Sequence, residues 1–133
     1  MFATTKLMAF APTRDANKAR QFYEGVLGLR VLSQDGFAVA CDANGIMLRV
    51  TIVPAGFKPQ PFTVLGWEVP DIAKAVSTLK QKGVQFESYG LPTQDAAGIW
   101  TAPGGTKVAW FEDPDGNLLS RTQFVAGDTA RSR

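Results

Sequence analysis

Two aspartates 56 residues apart, Asp15 and Asp71, each follow an alternating apolar stretch and precede a run with helical spacing. The chain therefore reads as one unit written twice, and its fold must be built from two similar halves. In the first copy KLMAFAP alternates and stops at a proline, giving a strand from about Lys6 to Ala11. Asp15 caps a helix whose buried stripe is Ala19, Phe22, Tyr23, Val26 and Leu27, and Gly28 ends it. Three strands follow, RVLSQD, GFAVACD and GIMLRVTIV, divided by Asp35-Gly36 and by Ala43-Asn44-Gly45. In the second copy TVLGWEV is a strand, Asp71 caps IAKAVSTLKQK with Ile72, Ala75, Val76 and Leu79 inward, and Gly83 closes the helix. VQFESY is expected as a strand, then a loop from about Gly90 to Gly105, a strand TKVAWFE, a type I turn at Asp113-Pro114-Asp115-Gly116, and a strand NLLSRTQF. The spacing predicts eight main strands and helices over 15–27 and 71–82. It also superposes Lys18-Ala19 on Lys74-Ala75.

Composition narrows the function. With 133 residues, 45% of them hydrophobic, the chain suits one domain, and its net charge of +2 leaves no basic stripe for nucleic acid. No window approaches 18 uninterrupted apolar residues and the N-terminus has no secretory pattern, so a cytoplasmic protein with no membrane partner is expected. Cys41, the only cysteine, reads as a small residue packed in a strand. The chain has no histidine, which excludes His-based triads, HExxH zinc sites and the usual proton shuttle near pH 7.

Three stretches, RDANKARQFYEGVLGLRV, VPDIAKAVSTLKQKGVQF and FEDPDGN, together resemble the glyoxalase, bleomycin-resistance and extradiol-dioxygenase (vicinal oxygen chelate) superfamily over about residues 6 to 124. The resemblance implies an α+β fold of two tandem βαβββ modules, about 6–53 and 62–124, forming a curved mixed-sheet cup within one domain, with 125–133 left as a polar tail. It also implies a small-molecule cavity on the concave face and a homodimer. In metal-dependent members four positions on that face hold the ion, and in this chain they fall on Met8, Arg49, Val64 and Ser120. A divalent ion there needs imidazole or carboxylate donors, so no metal and no cofactor are expected.

What remains is a pocket. Met8, Phe10 and Val64 offer apolar contact, Arg49 can pair with a carboxylate or phosphate, and Ser120 can give one hydrogen bond. Trp67, Trp100 and Trp110 are platforms for a planar ligand, Trp100 the best placed because its loop suits a mobile lid. Glu68 shares strand parity with Val64 about 13 Å further along, and reads either as an acid of the site or as a solvated strand end. Asp113 and Asp115 are explained by their turn, and Gly104-Gly105 by a hairpin. Two functions follow from different classes. The first is a metal-free protein binding a small aromatic or anionic molecule; the second is a superfamily enzyme, lyase-, isomerase- or dioxygenase-like, acting without the usual metal site.

Overall fold

A computed structural model describes residues 1–126, so the polar tail expected from residue 125 lies outside the described residues from 127 onward. The chain divides into two units, one of residues 1–61 with Asp113–Asn117, the other of Phe62–Glu112 with the residues from Leu118. Each holds one four-stranded mixed sheet and one principal helix, an α+β architecture of two modules. Among the described residues no helix is long and apolar enough to cross a membrane.

In the first unit β1 (Met8–Thr13) leads to α1 (Ala16–Arg20), which continues as a π-helical turn through Gln21–Val26. Strands β2 (Arg30–Gln34), β3 (Ala38–Ala43) and β4 (Ile46–Ile52) complete a sheet of order β1-β4-β3-β2, with only β1 and β4 parallel. Asp15 caps α1 as expected, its carboxylate accepting from the amides of Asn17 and Lys18. One sheet face, Ala11, Leu48, Val50, Val39 and Cys41, is fully buried together with Ala19 and Tyr23 of the helical segment. Cys41 is the packed strand residue that its isolation suggested.

The turn residues Asp113–Asn117 complete this unit and do more than turn. The Gly116 amide donates to the Asp113 carbonyl at 3.0 Å, and φ of +87° at Gly116 is where glycine is needed. The Asp113 carboxylate is buried and accepts from the amides of Asp115 and Asn117, from the Asn117 side chain and, at 2.7 Å, from the Tyr23 hydroxyl. Asp115 accepts from the amide and guanidinium of Arg14, at 2.8 and 3.3 Å. The expectation that the turn alone explains these two acids is thus corrected: both are buried anchors.

In the second unit β5 (Thr63–Glu68), α2 (Ile72–Gln81), β6 (Trp100–Thr101), β7 (Lys107–Glu112) and β8 (Leu118–Gln123) form a sheet of order β5-β8-β7-β6, parallel only between β5 and β8. Asp71 caps α2, and the first helical amide, Ile72, donates to the Gln123 side chain at 2.8 Å. Ile72 and Val76 pack on Ile99 and Ala109, with Val69, Phe86 and Ala97 around them.

The segment VQFESY is not a strand. It meets the sheet at one bridge, Phe86 to Phe111, and β6 takes the rest of the β7 edge. Its remaining backbone groups go elsewhere: the Tyr89 amide donates to Gln94 Oε1 at 2.8 Å, and Gln94 Nε2 donates to the carbonyls of Glu87 and Gly98. One glutamine side chain thus does the work expected of a strand partner. The fourth strand of this sheet is β6, inside the stretch expected as loop.

Candidate functional site

Each sheet has a face turned away from its helix, and the sequence-predicted residues distribute over these two faces. In the first unit the register sets Met8 beside Met47 and Phe10 beside Arg49, with Ala40 on the other side of Arg49. Met8 and Phe10 are 42% and 57% exposed, so an apolar surface lies open around one half-buried guanidinium. Among the described residues Arg49 makes no ion pair within 4.0 Å and no side-chain hydrogen bond. Its field reaches Asp35, whose carboxyl is held below its usual range first by the amides of Phe37 and Ala38 and lastly by Arg49. Met8, Phe10 and Arg49 are brought together as the sequence implied, although Arg49 faces Phe10 rather than Met8.

In the second unit Ser120 stands between Gly66 on β5 and Trp110 on β7, not opposite Val64. A register shift between Thr63 and Leu65 separates the Val64 position from that row. A Cβ at Gly66 would lie 2.7 Å from Ser120 Oγ, so a larger residue here would make the serine hydroxyl rotate away. The serine is buried, 6% exposed, and its hydroxyl has no hydrogen bond among the described residues. Glu68 is exposed and pairs with Thr122 at the end of the same face.

Trp100 is not on a lid. It sits in β6 opposite Val108, its ring 6.0 Å from that of Trp110 at an interplanar angle of 33°, and Tyr89 packs edge-on against Trp110 at 5.5 Å. Sequence reasoning left Trp110 unplaced and missed Tyr89 as its neighbour. The signal for Trp110 was strand parity, since Ala109 is core and its successor must face the other way. Trp67 lies on the α2 side, where the Arg121 guanidinium stacks 5.8 Å above its ring. Burial pushes the Arg121 pKa down, and its Nε has no hydrogen-bond partner among the described residues. Gly104-Gly105 is a turn, closed by the Gly105 amide on the Ala102 carbonyl at 2.8 Å.

A cavity of about 470 Å³ lies elsewhere, between α2 and residues 95–99, with Val76, Lys80, Asp95 and Ile99 among its walls. It includes none of the six predicted ligand residues. The four positions where the resemblance implies metal ligands carry a thioether, a guanidinium, a hydrocarbon and a hydroxyl, and among the described residues no three His, Cys, Asp or Glu side chains gather closely enough to hold an ion. Those donors do not fit a divalent cation.

The profile described as Glyoxalase/Bleomycin resistance protein/Dioxygenase superfamily matches residues 7–120. Among solved structures the chain is similar to a glyoxalase family protein from Enterococcus faecalis, at 18% identity and a TM-score of 0.73 over 92% of this chain and 99% of that one. It is also similar to a member of the same superfamily from Sphaerobacter thermophilus, at 24% identity and a TM-score of 0.71 over 93% and 100%. A third, from Alicyclobacillus acidocaldarius, has 18% identity and a TM-score of 0.68 over 96% of both chains. At these identities the likeness speaks for the fold. No curated protein matches the chain.

Proposed function

Because the chain belongs to the glyoxalase/bleomycin resistance protein/dioxygenase superfamily, we propose that it is a metal-free binding protein for a small aromatic or anionic molecule. The observation that carries this reading is the chemistry at the family's ligand positions, where Met8, Arg49, Val64 and Ser120 replace every imidazole and carboxylate. A fixed guanidinium repels a metal ion and attracts an acid. The helix-free faces offer what binding needs instead: apolar Met8 and Phe10 around Arg49 in one unit, and two neighbouring indoles beside the Ser120 hydroxyl in the other, both polar groups without a side-chain partner among the described residues. Open apolar side chains such as Leu7, Phe37 and Phe62 also favour a homodimer that covers part of this surface.

A thermal-shift screen of aromatic and anionic compounds against the full chain tests the reading. A true ligand at 100 times its dissociation constant adds about 2.7 kcal/mol to stability. Arg49→Ala or Trp110→Ala should abolish the shift for compounds bound on the corresponding face. A shift that neither variant alters would place the ligand elsewhere and refute the assignment.

A further inference from the structure

The cavity between α2 and residues 95–99 lies within the second unit and shares no lining residue with the candidate faces described above. At about 470 Å³ it has the size of a small-molecule pocket. Its floor is apolar: Val76 and Ile99 are buried members of the second core, and the short side chains of Ala73 and Ala97 leave the space above them open. One stripe of α2 forms a wall, with Ala73, Val76 and Lys80 three and four residues apart. The opposite wall is tied down by its own hydrogen bonds. Asp95 Oδ1 accepts from the amides of Ala97 and Ile99, both at 2.9 Å, and the Asp95 amide donates to the Ile99 carbonyl at 2.9 Å. Gly98 allows this turn with φ of +96°, and a Cβ there would lie 3.0 Å from Phe86 Cβ.

Two opposite charges line this cavity without neutralising each other. Among the described residues Lys80 makes no ion pair within 4.0 Å and no side-chain hydrogen bond, and Asp95 Oδ2 accepts none. An anion here is drawn by Lys80 and opposed by Asp95, a cation meets the reverse, and a neutral molecule gains from neither. A molecule that carries both charges close together gains from each, and an apolar body attached to them covers the floor. We propose that this cavity binds a free α-amino acid with an apolar side chain, its carboxylate toward Lys80, its ammonium toward Asp95 Oδ2 and its side chain on Val76 and Ile99. Both charged residues are exposed, so solvent screens each contact and each contributes a few-fold in affinity, not orders of magnitude.

L-leucine, 4-methylpentanoate and 3-methylbutan-1-amine share one apolar body and carry, in turn, both charges, only the carboxylate and only the ammonium; glycine carries both charges without the body. Each is titrated at neutral pH and millimolar concentration into the full chain while the methyl NMR signals of Val76 and Ile99 are followed. Leucine should shift both signals and bind about fivefold more tightly than either single-charge analogue, and glycine should bind more weakly than leucine. Lys80→Gln should bring leucine to the level of the amine. Asp95→Asn should bring it to the level of the carboxylate, and it keeps an oxygen for the amides of Ala97 and Ile99. Should that variant fold poorly, Lys80→Gln, at an exposed helix position, decides alone. Leucine binding no better than an analogue, or unaffected by Lys80→Gln, would overturn the amino-acid class. Methyl signals that no probe moves would show that the cavity is no binding site. Neither result touches the reading of the helix-free faces, which is tested through Arg49 and Trp110.

Discussion

Gly66 and Ser120 show how one residue sets another's freedom. The Cβ of Gly66→Ala would lie 2.7 Å from Ser120 Oγ and make the hydroxyl rotate, so the variant should lose about 1 kcal/mol in chemical denaturation. Adding Ser120→Ala removes the colliding oxygen, and the double variant should regain most of that loss. Simple additivity of the two changes would contradict the packing described here. Tyr23 gives a second test. Its pKa is raised above the ordinary 10.0, mainly by burial and then by Asp113. The folded state therefore holds the phenolic proton more tightly than the unfolded chain, so the contribution is complete below pH 10 and declines as pH rises further. Denaturation at pH 8, 10 and 11 should show stability falling above pH 10 in the native chain, and falling less in Tyr23→Phe. At pH 8 the variant should already be weaker by about 1–3 kcal/mol, because the buried Asp113 carboxylate loses its 2.7 Å donor.

Elements were legible where their pattern is local. Both caps, both helices and seven strands follow from alternation, helical spacing and turn residues, because those preferences act over a few residues. The exceptions were decided by individual side chains. Nothing in the alternation of VQFESY says that Gln94 will take the Tyr89 amide and the Glu87 carbonyl, and that choice turned a strand into a stapled loop. Gln94→Ala should accordingly raise the hydrogen-exchange rate of the Tyr89 amide while leaving β7 and β8 protected, and unchanged exchange at Tyr89 would show the staple to be incidental. The acids of the 113–117 turn were misjudged for a related reason. Their turn role is readable from Pro114 and Gly116, but their bonds to Tyr23 and Arg14 span 90 and 101 residues, beyond any local pattern. For the candidate site, the grouping of Met8, Phe10 and Arg49 followed from strand parity, whereas the Ser120 row depended on a register shift in β5 that no residue announces.

For the whole molecule, the 56-residue repeat foretold two units of like element order, and each consists of one principal helix and one mixed sheet whose first strand runs parallel to its last. Light scattering at micromolar concentration should give about twice the chain mass of 14.3 kDa; a mass equal to one chain would remove the homodimer from the account. The central claim is that the family's metal positions hold no ion and leave binding to apolar, aromatic and guanidinium groups. It is tested most directly by exposing the purified chain in turn to zinc, nickel, manganese and iron(II), dialysing, and measuring metal per chain by elemental analysis. The account predicts far less than one equivalent for every ion, because Met8, Arg49, Val64 and Ser120 offer a single hydroxyl among hard donors. One equivalent that survives dialysis, and is lost in Ser120→Ala or Glu68→Gln, would contradict it and put the enzyme reading ahead.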